Sequence, residues 1–332
     1  MKRLIITAPR CAEFEEIMMP VCPSDGLLVR ARVTAISTGT EIRVYRVVPV
    51  DAAGQYIHAN IPLVFPIENG YSMVGDVIEV GSEVSNFVPG DRVFTAATHR
   101  EIAAVPAADA VKLPATIPDE QAVFVNILEV SHIALRKGSP TPGDTLGIIG
   151  QGVIGLAALA YGQAFGFRTL VVDKEDARLA IARRMGAGLA ISPDAPDFMQ
   201  QVHDFTEGQG ADLVLEAAST WAAIQMSMEI VSKGGKVAVV ACHTDQPQFS
   251  PVGDHYLQTD ITLLTSYGYP PAGQRWDRQR SFALTFDLMA REKLSIGPMI
   301  THHFPWQALP EVYQRLEQGE RELVGVVIDW RK

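Results

Sequence analysis

Cysteine is scarce in this chain. The three present, Cys11, Cys22 and Cys242, form no C-x-x-C pair. That excludes a disulfide framework and a zinc cluster of closely spaced thiolates. Long hydrophobic runs are missing too, since none approaches the roughly 20 apolar residues that cross a bilayer. The apolar run in MKRLIITAPRCAEFEE is too short for a signal peptide, and acids follow it at once. A cytoplasmic location is expected. Basic residues are outnumbered, 28 against 38, for a net charge of -10 and no long basic run. Neither nucleic acid nor an anionic membrane is therefore expected as a partner. What remains is ordinary in composition: 332 residues, 47% hydrophobic and 20% charged. Such a chain has room for one large or two ordinary domains with a full core.

The most informative stretch is TLGIIGQGVIGLAALAYGQAFGFRTLVVD, from Thr145 to Asp173. A strand-like run leads into Gly150-Gln151-Gly152-Val153-Ile154-Gly155, a helical segment follows to Phe165, and a second apolar run ends on Asp173. In a G-x-G-x-x-G turn the first glycine permits the tight turn, the second lets a pyrophosphate approach the backbone, and the third packs helix against strand. The free N–H groups at the helix start, with its dipole, suit phosphates. An acid about 20 residues on accepts ribose hydroxyls. Asp173 favours NAD over NADP, whose 2′-phosphate would meet like charge, and the neighbouring Lys174 softens that preference. Gly150, Gly152, Val153, Ile154, Gly155, Asp173, Lys174, Arg178, Ala217, Cys242 and His243 are the expected cofactor-binding residues, the last two just after a strand.

Before this stretch the chain reads as mainly β. Leu4–Thr7, Leu27–Ile36 and Val74–Val80 alternate or run apolar, with Gly and Pro between them. After Pro118 the period lengthens: a helix is expected over Asp119–Arg136 and another over Asp176–Met185. Strands are expected at Leu189–Ser192, Ala211–Glu216, Val237–Ala241 and Ile261–Ser266. Alternation of this kind predicts a six-stranded parallel sheet covered on both faces. A helix over Arg278–Lys293, one over Ala308–Gln318 and a last strand over Leu323–Ile328 follow, and this tail is expected to return to the first domain.

These segments resemble the medium-chain dehydrogenase/reductase superfamily over nearly the whole chain. The marks are LLVRARVTAISTGTE, GYSMVGDVIEVGSEVSNFVPGDRVF, HREIAAVPAADAVKLP, PGDTLGIIGQGVIGLAALAYGQAFG and PEVYQRLEQGERELVGVVID. The resemblance implies a GroES-like catalytic domain (residues 1–117 and 292–332), a Rossmann NAD-binding domain (118–291), and a cleft between them. It also implies a small-molecule substrate and a homodimer or homotetramer. Zinc alcohol dehydrogenases of this superfamily carry a cysteine where this chain has Thr38 and a His-Glu pair where it has Tyr71-Ser72. Their third ligand falls near Val125–Asn126, where no zinc ligand stands. The structural-zinc cysteines are also missing from FTAATHREIAAVP. No metal is therefore expected, although a non-equivalent site using Glu41, His58, Glu68 or His99 stays open. The Ser-Thr-Gly-Thr-Glu signature, Tyr71 and the tail look most like a zinc-less branch that includes the bacteriochlorophyllide hydroxyethyl dehydrogenase. Quinone and enoyl reductases usually carry Asn-Pro-x-Asp at the first ligand loop, and this chain does not.

Without zinc, hydroxyl and imidazole groups must manage the substrate oxygen. Tyr71 and Thr40 are the expected proton-handling pair, with Glu41 and Thr38 as further catalytic candidates. Tyr71 needs its pKa lowered from about 10 by a neighbour or by the nicotinamide charge to act as a base. His99 and His132 are expected to pack. The leading expectation is a metal-independent, NAD-dependent interconversion of a secondary alcohol (a polyol, cyclitol, sugar-like or other ring-bearing compound) and its ketone. A C=C reductase of the enoyl or quinone type and a nucleotide-binding protein without turnover are the alternatives.

Overall fold

A change of hydrophobic period near residue 120 marks where the chain passes from one folding unit to another. The computed structural model describes residues 1–47, 64–241, 243, 247–268 and 275–332, with the side chains of 254 and 255 excepted. His58 and Cys242 lie outside the described residues. One unit is Met1–Asn126 with Ile300–Lys332, and the other is Ile127–Met299.

The first unit opens with β1 (Lys2–Ala8), β2 (Cys11–Glu16), β3 (Gly26–Ile36) and α1 (Thr40–Arg46). Then come β4 (Ile67–Glu68), β5 (Met73–Val80), β6 (Arg92–Thr95), β7 (Ile102–Pro106), β8 (Ala110–Lys112) and α2 (Asp119–Ala122). The second unit runs through α3 (Val125–Gly138), β9 (Thr145–Ile149), α4 (Val153–Phe165), β10 (Arg168–Val172), α5 (Asp176–Arg184) and β11 (Leu189–Ile191). It continues with α6 (Phe198–Phe205), β12 (Ala211–Glu216), α7 (Trp221–Ile230), β13 (Val231–Val239), α8 (Asp254–Leu257), β14 (Thr262–Thr265) and α9 (Arg278–Ala290). The chain then returns through β15 (Ile300–Pro305), α10 (Leu309–Glu317) and β16 (Gly325–Asp329).

The first unit is organised on β3, which pairs antiparallel with β5, β7 and β16. Leu27, Val29, Ala31 and Ile36 of β3 enter a core shared with Leu4, Ile6, Val93, Tyr313 and Trp330. β2, paired with β1, and β15, paired with β16, are strands the sequence reading did not anticipate. The polar turn after β3 leads into a helix, because Ile42, Val44 and Tyr45 have an apolar core to enter. The long helix expected over Asp119–Arg136 is two, α2 and α3, separated at Val123 and Phe124, both fully buried.

The unit boundaries fall later than the expected 117/118 and 291/292. At the first, α2 stays with the β unit because the buried carboxylate of Asp119 is tied there. It takes Arg32 Nε at 2.7 Å, Arg92 Nη1 at 3.2 Å and Arg331 Nη1 at 3.4 Å. At the second, Leu294, Ile296 and Met299 are buried in the other unit.

In the second unit the strands run in the order β11-β10-β9-β12-β13-β14, all parallel. The expected six-stranded parallel sheet is present, with both faces supplied with apolar side chains. From β9 the chain goes to β10 on one side and later to β12 on the other, so the strand order reverses at β9. In such sheets the crevice at the carboxyl ends of the strands, at that reversal, is where ligands sit. No helix among the described residues is long and apolar enough to cross a membrane.

Candidate active site

The second unit presents its glycine turn at the carboxyl end of β9. Gly150 has φ +91°, and a Cβ there would lie 2.8 Å from the Ala218 nitrogen. A Cβ on Gly155 would lie 1.8 Å from the Gly150 carbonyl oxygen. These two glycines are therefore required by the fold itself. Gly152 is different. Its φ of -72° suits any residue, and a Cβ there meets nothing within 4 Å. The missing side chain keeps space open at the start of α4, where no side chain caps the helix. Unused N–H groups at a helix start facing open space fit a pyrophosphate. Val153 is buried and Ile154 half-buried on the same first turn. Gly152→Val should thus leave the fold intact and weaken nucleotide binding about tenfold to a hundredfold, the scale of a 1–3 kcal/mol overpacking penalty. Calorimetric titration beside a thermal melt checks this; unfolding with no selective loss of binding would show that the glycine serves packing.

Asp173 ends β10 and is nearly buried. Its Oδ2 accepts the Gln151 N–H at 2.5 Å, and its Oδ1 accepts the Glu175 N–H at 2.8 Å. Each carboxylate oxygen keeps a further lone pair for a ribose hydroxyl. Arg178 Nη1 stands 4.0 Å from Oδ2, and Lys174 is exposed. Ala217 follows β12 and donates its N–H to the Ile149 carbonyl at 2.9 Å.

Sequence reasoning missed Glu216, the last residue of β12. It is fully buried, accepts the N–H groups of Ala218 at 2.8 Å and Ser219 at 2.7 Å, and shares a 2.8 Å hydrogen bond with His243 Nε2. The signal available was an acid closing a strand directly after the apolar run Leu213-Val214-Leu215. His243 also packs against Trp221, ring centroids 5.4 Å apart. His132 packs, as expected, sharing a 2.6 Å hydrogen bond with Ser281 Oγ. Burial, aided by the Arg136 charge, lowers its pKa to about 4, so it is neutral at pH 7.

The first unit gathers the candidate catalytic side chains around the turn from β3 to α1. The Tyr71 phenol is hydrogen-bonded to the side chains of Ser37 and Thr40. Burial pushes its pKa up to about 12, the Glu41 charge acts in the same direction, and the two hydrogen bonds only partly offset them. The lowering that a base would need is not supplied by these neighbours: at neutral pH Tyr71 is a phenol, with a proton to donate. Thr38, next to Ser37 in the sequence, is half-buried. Asn126 donates its amide to the Tyr71 carbonyl at 2.9 Å.

Glu41, expected among the catalytic groups, is instead a buried acceptor. Its Oε1 takes the Ser37 N–H at 2.7 Å, while its Oε2 takes the Tyr313 hydroxyl at 2.5 Å and His99 Nε2 at 2.8 Å. Burial and the Glu41 carboxylate raise the Tyr313 pKa well above the usual tyrosine range, so that residue too stays a phenol.

Zinc, the metal of the superfamily's alcohol dehydrogenases, does not fit these residues. Thr38, Tyr71 and Asn126 offer hydroxyl and amide groups where a catalytic zinc takes three ligands from Cys, His and Asp/Glu. Among the described residues no group of three or more His, Cys, Asp or Glu side chains stands close enough to hold a metal. Of the non-equivalent candidates, Glu41 and His99 are bonded to each other, and Glu68 is tied to Arg3 and Arg100 at the surface.

A GroES-like unit and a doubly wound unit with an open glycine turn, in one chain, define a dinucleotide-dependent dehydrogenase. Comparison with known proteins agrees. Residues 23–115 match the alcohol dehydrogenase GroES-like domain, and residues 153–283 match the family described as zinc-binding dehydrogenase. The chain is similar to a D-guloside 3-dehydrogenase of Shigella flexneri, 26% identical over 95% of each chain. It is also similar to a sorbitol dehydrogenase of Halalkalibacterium halodurans, 25% identical over 80% of this chain and 86% of the other. Among solved structures, 2R,3R-butanediol dehydrogenase from Bacillus subtilis superposes with a TM-score of 0.81 over 99% of both chains at 20% identity, a likeness of fold. The chain belongs to the medium-chain dehydrogenase/reductase superfamily and is an enzyme of its alcohol dehydrogenase type, a class that works with NAD or NADP.

Proposed function

We propose that this enzyme interconverts a secondary alcohol on a polyol, cyclitol or sugar-like substrate and its ketone, using NAD and no metal. The observation that carries the chemistry is the Tyr71 phenol, held by Ser37 and Thr40 where the zinc relatives place a metal ligand. Tyr71 donates a hydrogen bond to the substrate oxygen, and Thr40 completes the contact. Gly152, the first turn of α4 and Asp173 hold the dinucleotide, which when bound supplies the hydride acceptor. The relatives named for guloside and sorbitol support a polyhydroxylated substrate. The donor set at Thr38, Tyr71 and Asn126 supports a place in the zinc-less branch of the superfamily. The exposed Leu263 and Tyr267, on and beside the edge strand β14, support a homo-oligomer, dimer or tetramer, formed through that edge. A panel of polyols, cyclitols and hydroxy acids with NAD, followed by NADH absorbance, tests the reading. Reduction of activated C=C bonds with no oxidation of any alcohol would overturn it.

NAD is the proposed nucleotide because the Asp173 carboxylate would face a 2′-phosphate. Asp173→Ala should narrow the preference for NAD over NADP by roughly 1–3 kcal/mol, the worth of a hydrogen bond to a charged group. Both nucleotides should also bind less well, because the Gln151 and Glu175 N–H groups lose their acceptor. Titration of each nucleotide checks this, and tighter binding of NADP by the unaltered protein would sink it.

A further inference from the structure

We propose that His99 is a positioning residue that, through Glu41, sets the Tyr71 phenol between Ser37 and Thr40. This rests on the role proposed above for Tyr71. His99 is 1% exposed and touches both chain segments that carry the site. On one side its Nε2 meets Glu41 Oε2 at 2.8 Å, and the other oxygen of Glu41 reaches back to the Ser37 N–H. The carboxylate thereby ties down the turn whose two hydroxyls hold Tyr71. The backbone N–H of His99 donates to the Asn69 carbonyl at 3.0 Å. Gly70, next in the chain, lies so close to the imidazole that a Cβ would stand 2.5 Å from Cδ2. With φ +94° as well, Gly70 is the residue that lets the chain pass the ring and deliver Tyr71.

The donor count closes around one arrangement. Trp330 Nε1–H only donates, and Thr34 Oγ1 accepts it at 3.0 Å. The single Thr34 hydroxyl proton is then free to donate to His99 Nδ1, 2.8 Å away. That leaves the imidazole proton on Nε2, donating to Glu41, where the Tyr313 hydroxyl is the second donor to the same oxygen. Asn69 adds a 3.1 Å bond to the Glu41 carbonyl. Each named side chain in the chain Trp330–Thr34–His99–Glu41–Tyr313 has its partner, which gives Glu41 one orientation. A fully satisfied buried network rigidifies what it holds. None of these groups needs to touch substrate for this role.

The experiment labels the protein with [13Cζ]tyrosine and identifies the Tyr71 resonance by its loss in Tyr71→Phe. His99→Phe and Tyr313→Phe keep a ring in place and remove a donor to Glu41, and both are expected to move or broaden the Tyr71 resonance. Tyr45→Phe is the control: its ring packs on Tyr313 with centroids 5.5 Å apart, but its hydroxyl donates to the Arg10 carbonyl. It should leave the resonance in place. Should His99→Phe fail to fold, Tyr313→Phe carries the comparison. With sorbitol and NAD, turnover should fall about tenfold to a hundredfold in the two donor variants, the cost of a small misplacement, with the KM for NAD unchanged. His99→Gln, whose amide N–H replaces Nε2–H, should recover most of it. An unmoved Tyr71 resonance in both donor variants, or an equal shift in Tyr45→Phe, overturns the inference. A moved resonance without loss of turnover sustains the positioning role and removes Tyr71 from the chemistry instead.

Discussion

Tyr71→Phe should lower turnover by roughly 10² to 10⁴, the range for losing a general acid or base, with little effect on nucleotide affinity. The phenol oxygen is the only atom removed, and the ring still fills its place. The pH behaviour of the loss follows from the raised pKa. A group with pKa about 12 stays protonated from acid through neutral pH, so Tyr71 contributes no inflection there. The Phe variant should be slower by a constant factor across that range, and its pH profile should keep the shape of the unaltered enzyme. A loss that appears only on one limb of the profile would mean that Tyr71 titrates in the working range. The same assay addresses the metal: about one zinc per chain on elemental analysis, or activity lost on chelation and restored by zinc, would overturn the metal-free reading. Full activity in the Phe variant would spare that reading and remove only the tyrosine's role.

Asp119→Ala should cost the first unit about 3 kcal/mol, the lower end of the range for breaking a buried ion pair. Asp119 is 5% exposed, whereas its partners Arg92, Arg32 and Arg331 have side chains 21%, 33% and 47% exposed. Water therefore softens the repulsion among the stranded guanidiniums but cannot replace the acceptor at their centre. For a unit of this size the loss corresponds to a melting-temperature drop of roughly 6 to 12 °C. Arg331→Ala removes only the most exposed partner and should cost under about 1 kcal/mol. Differential scanning calorimetry of both variants decides it. An Asp119 variant that melts with the parent would show that apolar packing around Val123 and Phe124 alone holds α2 to the β unit.

The two-unit plan was legible in the chain because it depends on period and punctuation. Apolar runs at strand and helix spacing place β9, α4 and β10, and the glycines at 150, 152 and 155 mark the turn between strand and helix. Even there the sequence could not say which glycine serves the fold and which the ligand. That distinction needed the neighbours: Gly155 presses on the Gly150 carbonyl, while Gly152 faces nothing within 4 Å. The strands β2 and β15 were not legible because they are mixed in polarity, and pairing with a neighbour strand rather than local pattern holds them. Tyr71 was singled out by resemblance as a proton donor or acceptor, but the direction of its pKa was not legible, since desolvation depends on what is packed around the phenol. Glu41 looked like a candidate acid and His99 like filler. Their partners are brought in by the fold: Thr34 lies 65 residues from His99 and Tyr313 272 from Glu41, and Trp330, which bonds Thr34 in turn, lies 296 from it. The sequence alone determined the superfamily plan, the nucleotide turn and the absence of good zinc ligands at the positions where relatives have them, because these are properties of residue type and local spacing. Only the tertiary structure decided which polar groups are buried together and so which hold a proton and which hold one another, because burial and hydrogen-bond partnership arise between segments that no local pattern connects.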